Sequence, residues 1–378
     1  MSYKAFQDWY REGDIKHLLL YEHDGYLISP PFATDRCKEY NKILKYNGSV
    51  SYIETTLPSA TSKTNSVIYV NGSSWFIPYG IYDDFNVVLE LKGDTPIYHH
   101  IEAKGKGQFY SGASNGVTGF SFPLGYEGTQ YSLYIKDNVP TLIPVESVEK
   151  AHMGTIYCNG KYYSMPRADV PGYNNLTSFD GEKFEHYPVP VNPEITRKFT
   201  DLIAIGNKLY SLPFGETPGL TEAVEFDTDT KQFNLYKLNV PDFAKKFNSM
   251  VRLGDKIIGM PYGDEYCEDS NWGVVFDTVT KESIPIDIGI THGGKYRYRC
   301  GIQYYHLAVF FPSGTPQCPI IVVRSDGVIH KKMQFDNIMF GRPIIYKDKI
   351  HILAYDTVKE TQHLYIFGVD FDYEVIDL

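Results

Sequence analysis

Between Leu202 and Leu238 apolar and polar positions alternate in short runs, each stopped by turn residues. An apolar run over 202–205 meets the Gly206-Asn207 turn, and a second over 208–212 stops at Pro213. Two more, over 223–227 and 233–238, flank the polar turn Asp227-Thr-Asp-Thr. Period-two alternation rich in β-branched and aromatic residues, with turn residues at every break, predicts four strands. A unit this small cannot bury both of its faces alone, so it should have siblings along the chain.

The siblings are SPPF, FIPYG, FSFPLG, YSMPRA, YSLPFG, IGMPYG, FFPSG and ILAYD. Their markers are Pro30, Pro78, Pro123, Pro166, Pro213, Pro261, Pro312 and Ala354, separated by 42 to 51 residues. Tight-turn residues Gly48, Gly93, Asp137, Gly181, Thr228, Thr278, Asp326 and Phe371 keep step, 14 to 18 positions after them. A period of about 46 residues is that of four-stranded propeller blades. The expectation is an all-β, eight-bladed β-propeller of four-stranded antiparallel blades, with seven blades as the alternative count. Residues 16–378 hold the repeats in one domain. Residues 1–15 read as a short helix, because Tyr3, Phe6 and Tyr10 share a helical spacing and Gly13 stops the run. Further turns of helix are expected at Thr34–Asn41 and Asp242–Phe247, where Phe243 and Phe247 would share a face.

IGNKLYSLPFG followed by VEFDTDT, and LGDKIIGMPYG followed by VVFDTVT, give the repeat a recognisable grammar. It resembles the kelch repeat of β-propellers over nearly the whole chain, with Pro-x-Gly where kelch blades carry a glycine pair. What the resemblance implies is the fold. Kelch-like propellers include enzymes, adaptors and ligand binders, so function must be argued from the site.

Composition narrows the partners. Acids outnumber bases 46 to 36, the formal charge is −10, and there is no basic run, which argues against a nucleic-acid partner. No apolar stretch approaches a membrane span, and the N-terminus lacks the core of an export signal, so no membrane partner is expected. Five cysteines, Cys37, Cys158, Cys267, Cys300 and Cys318, show neither disulfide nor zinc spacing. The expectation is free thiols in a cytoplasmic or other reducing compartment, with a virion as another location, and no cofactor or metal. Asn47, Asn71 and Asn175 match the glycosylation tripeptide but read as turn sequence.

Function is sought in the loops that follow the marker prolines, since a proline ends a strand and starts a loop at fixed φ. The candidate binding residues are Arg36, Asp83, Asp84, Arg167, Asp169, Glu216, Asp264, Glu265 and Tyr266, with Thr34, Asp35 and Tyr82 beside them. No catalytic residue is assigned. Gly112-Ala-Ser114-Asn-Gly116 spells a nucleophile-elbow pattern but leads into a strand rather than a helix. His99 and His100, adjacent in a strand, point to opposite faces and do not clasp one metal. The acidic run 263–269 lacks the alternating ligands of a calcium loop. The expected function is a non-catalytic recognition or assembly module for a protein or glycan partner, a component of a larger particle being one form of it. The alternative is a carbohydrate-active enzyme, with Asp83 or Asp84 opposed to Asp264 or Glu265 as the carboxylate pair. Oligomeric state is not specified by the sequence.

Overall fold

The structure, a computed structural model, describes residues 13–80, 85–103, 108–125, 131–145, 148, 150–262, 271–289, 297–313 and 318–378. The fold is an eight-bladed β-propeller whose strands form eight antiparallel sheets. Each chain segment pairs with its neighbours in sequence, giving blades over 21–54, 64–100, 113–144, 156–188, 203–237, 247–287, 298–334 and 338–377. In blade eight the innermost position is shared by two short segments, Ile338–Phe340 and Ile344–Tyr346, both paired with Lys349–Asp356. The chain divides into two compact units, 10–188 with blades one to four and 189–377 with blades five to eight.

In each unit the core lies between the faces of successive blades. In the first, Ile28, Ile43, Phe76 and Leu89 pack between blades one and two, and Trp75, Ile77 and Leu133 between two and three. Phe120, Phe122, Tyr162 and Phe179 fill the next gap, with the Phe120 and Phe179 rings stacked at 4.5 Å. In the second unit, Tyr210, Leu212 and Phe276, then Val251, Ile258 and Phe310, then Phe311, Phe340 and Phe367, do the same work. Flat rings suit two pleated faces, and truncating one such as Phe120 to alanine costs about 3–5 kcal/mol.

The repeat grammar has local causes. In the outer turns Asp227 and Asp277 each accept two backbone N–H groups through Oδ1, at 2.9–3.0 Å. The following threonine then donates its N–H at 2.9 Å to the inner turn, Thr228 to Asn207 and Thr278 to Asp255. The Pro-x-Gly signature follows from φ. The second residue after the proline is left-handed, with φ +51° at Gly80, +65° at Gly125 and +66° at Gly215. Glycine holds that conformation without strain; Ala33 and Ala168 occupy it at φ +59° and +36°. Ala33 also resets the first marker by one residue. Phe32 donates its N–H to Lys16 just as Arg167 does to Ala151, so the proline equivalent to Pro166 is Pro31, not Pro30.

A 3-10 turn over Asp35–Cys37 lies within the helical segment expected at 34–41. The one expected at 242–247 does not form: the chain bends at 244–245, where Lys245 is left-handed at φ +52°, although the Phe243 and Phe247 rings still meet at 6.3 Å. The N-terminal helix expected over 1–15 falls almost wholly outside the described residues.

Adjacent blades are tied at their outer turns. Lys45 of blade one binds Asp94 of blade two through both carboxylate oxygens at 2.7 Å, and the Tyr26 hydroxyl donates to the same carboxylate at 2.7 Å. In the other unit Lys281 of blade six reaches Glu225 of blade five, which also accepts from Tyr210 and Lys208 at 2.8 Å.

Candidate functional site

Fifteen positions before each marker proline stand Lys63, Gln108, Lys198, Lys246 and Arg297, in blades two, three, five, six and seven. Each carbonyl accepts the N–H of the residue after that proline, at 2.8–3.0 Å, which fastens the loop to the start of its own blade. All five side chains are buried. Burial of a cation is tolerated only where oxygens replace water. Lys63 donates to the Tyr40 carbonyl at 2.9 Å and to Asn41 Oδ1 at 2.5 Å, Gln108 to Asn86 Oδ1 at 2.7 Å, and Arg297 to Asn271 Oδ1 at 2.5 Å. The acceptors lie just ahead of the third strand of the preceding blade, so these side chains lock one blade's loop to the next. Burial pulls the Lys63 and Lys198 amines down to about 8, against the opposing pull of Glu39 and Glu194 respectively. The sequence reading missed this series because isolated lysines read as solvated; their constant distance from the prolines was the available signal.

One residue earlier the backbone is left-handed, at Ser62 (φ +51°), Lys150 (+51°), Arg197 (+50°) and Lys245 (+52°). These residues mesh with the glycines of the Pro-x-Gly loops. Lys150 donates its N–H to Gly125 at 2.9 Å, Gly215 to Arg197 at 3.0 Å, and Lys245 to Gly215 at 2.7 Å. The mesh delivers cations to the acids three positions after the prolines.

In the first unit Asp169 is gripped by Lys150 at 2.5 Å and by Arg167 at 3.2 Å. All three side chains are about 15% exposed, and Arg167 Nε is buried without a hydrogen-bond partner among the described residues. In the second unit Glu216 spans two cations, one oxygen to Arg197 at 3.1 Å and the other to Lys245 at 3.2 Å. Loops that look unrelated in sequence thus place an acid at one recurring position. Of the expected site residues, Arg167 and Asp169 come together, Glu216 acquires partners the sequence did not reveal, and Arg36 is exposed on its 3-10 turn. Asp83, Asp84, Asp264, Glu265 and Tyr266 lie outside the described residues, as do Tyr82 and Cys267.

The weaker motifs resolve as structure. Ser114 Oγ donates to Thr118 O at 3.0 Å and accepts from the Gly116 N–H at 2.8 Å, within a turn. His99 contacts Glu90 at 2.9 Å while His100 is exposed. Cys37, Cys158, Cys300 and Cys318 are free thiols, and no metal-binding cluster occurs among the described residues. No helix among them is long and apolar enough to cross a membrane.

Neither a family model nor a curated relative matches the sequence. Similar solved structures include the WD40 β-propeller domain of Doa1, at 10% identity and TM-score 0.44, covering 84% of this chain and 92% of that one. Another is the extracellular domain of a proposed one-component system from B. thetaiotaomicron, at 11% identity and TM-score 0.47, with 97% of this chain spanning 57% of that one. Apo AztD from Citrobacter koseri matches at 8% identity and TM-score 0.47, over 84% and 86% of the two chains.

Proposed function

We propose that this kelch-like propeller is a non-catalytic recognition module that engages a partner through its post-proline loops. The observation that carries the reading is the state of the acids there. Asp169 and Glu216 each have their oxygens occupied by two cations. A glycosidase-type pair needs two carboxylates about 5–10 Å apart and turned to the substrate, one of them able to hold a proton. Carboxylates committed to cations on a hydrogen-bonded mesh instead make a rigid surface of mixed charge, which suits recognition.

Arg36→Ala, at an exposed position, is expected to weaken capture of the partner in a pull-down from the source cells while leaving the melting temperature nearly unchanged. Arg167→Ala should weaken capture too, and it should also lower stability by about 1–3 kcal/mol, because it strips Asp169 of a cation. A glycan array run alongside separates a saccharide partner from a protein. Turnover of a polysaccharide that disappears in Asp83→Asn or Asp264→Asn would overturn the reading in favour of an enzyme.

A further inference from the structure

We infer that the hairpin tip Tyr305-His306 of blade seven is a second recognition surface, whose tyrosine ring enters an apolar pocket on a protein partner. The tip and the loop after Pro312 close opposite ends of one strand, Leu307–Pro312, about 20 Å apart. This surface is therefore separate from the post-proline loops and does not depend on them.

The residues at the tip are wrong for its backbone. Tyr304 pairs with Leu307, so Tyr305 and His306 alone make the turn from the first strand to the second. In the other blades with a two-residue turn at this place, both residues come from glycine, asparagine, aspartate and lysine. Gly206 and Gly254 lead that turn in blades five and six at φ +62° and +64°, and Asn207 and Asp255 after them are not left-handed. A positive φ at the first position alone is the sign pattern of a type II′ turn, and glycine is the residue it selects. Tyr305 holds the same position at φ +53°. A bulky left-handed residue is strained, and such strain persists where something else requires the side chain.

Packing does not account for it. The other left-handed aromatic among the described residues, Phe371, is 3% exposed and belongs to the core between blades seven and eight, so burial offsets its strain. The Tyr305 ring is 55% exposed. It leans on Tyr304 with centroids 4.7 Å apart; Tyr304 is 2% exposed, and its hydroxyl donates to the Asp348 carbonyl at 2.7 Å. Gln303 Nε2 donates to the Tyr305 carbonyl at 3.1 Å. The ring thus projects from a braced tip, and an anchor fixed in advance loses little freedom on binding. Tyrosine is among the side chains that carry most of the binding energy at protein interfaces. A two-residue tip is convex, so the concave surface has to lie on the partner, which a folded protein supplies and a flexible saccharide does not.

A benzophenone-bearing phenylalanine in place of Tyr305, in the full chain irradiated within an extract of the source cells, tests this. It should couple to a discrete protein, and excess natural chain should suppress that adduct at least about tenfold while Tyr305→Gly does not. The same probe in place of Tyr69, which is 49% exposed, should give no adduct that the natural chain suppresses. Arg36→Ala keeps the tip and should suppress the adduct as the natural chain does; if it does not, the tip is no separate surface and the inference falls while the post-proline reading stands. Tyr305→Gly should also melt at a higher temperature than the natural chain, because the turn regains the residue its backbone selects. A lower melting temperature would make the ring a structural part of blade seven. An adduct that Tyr305→Gly suppresses equally, or no adduct, would leave the tip without a partner. Binding to a glycan array or to phosphatidylcholine vesicles that disappears in Tyr305→Gly would give the tip another class of ligand. Each of these results overturns the inference.

Discussion

Blade one and blade five solve one problem with opposite charges. Ser29 and Ser211 both stand two residues before the marker proline, and the register from them makes Lys45 and Glu225 equivalent, opposite Ile28 and Tyr210. In blade one the strand carries the cation and the next blade's turn supplies Asp94. In blade five the strand carries the carboxylate and the next blade's turn supplies Lys281. A tyrosine hydroxyl joins both ties. Burial separates them. The Asp94 side chain is 59% exposed and the Glu225 side chain 1%. Burial opposes ionisation of Glu225, yet hydrogen bonds from Lys208, Lys281 and Tyr210 outweigh it and bring the carboxyl down to about 2. Position in the repeat decides that a tie is made; depth decides what the tie contributes.

The strongest way to break this comparison is Glu225→Ala. It leaves two lysines and a buried tyrosine hydroxyl without their acceptor, and should cost about 3 kcal/mol, read from the denaturant midpoint. A loss below about 1 kcal/mol would make the two ties equal and the distinction empty.

Acid should then separate the blades. The segment leading into blade one holds His17, buried against Pro30 and Tyr40, with Nε2 2.9 Å from the tyrosine oxygen. Burial pulls its pKa down to about 4, so the unfolded chain takes up the proton first. Stability from the neutral ring is complete above about pH 6.5 and falls by about 1.4 kcal/mol per unit as pH drops toward 4. Blade five contains no histidine, and its depressed Glu225 withdraws stability only below about 4.5. Hydrogen exchange between pH 7 and 5 should show blade one losing protection relative to blade five. His17→Phe, which installs the residue found equivalently at Phe199 and Phe247, should remove the difference.

The smallest effect belongs to the exposed tie. Lys45→Met should change stability by no more than about 1 kcal/mol, and less in high salt. A larger loss would mean that the cation over the Tyr26 ring, 3.9 Å from its centroid, outweighs the ion pair.

The blades were legible because each marker stands on a backbone necessity. Prolines such as Pro78 and Pro261 close the second strand, and the left-handed residue two places on selects Gly80 or Gly215. Where alanine takes that place, at Ala33, the marker slipped by one. The candidate site was legible only in part. Asp169 and Glu216 stand in loops that sequence points to, but their partners Lys150, Arg197 and Lys245 arrive from the approach to a first strand. Nothing in a single lysine announces a left-handed backbone. Lys63 and Lys246 were invisible for a related reason: composition assigns lysine to water, and only the fold shows the oxygens that replace it.

A chain of eight look-alike sheets must keep count of itself while it folds, because each blade offers its neighbours much the same pleated face. The reversed ties supply an address. Were blade one to settle against the turn of blade six, Lys45 would meet Lys281; were blade five to meet the turn of blade two, Glu225 would face Asp94. Like charges at the outer rim would disfavour both mistakes, so the sign of a turn residue helps to spell which sheet belongs beside which.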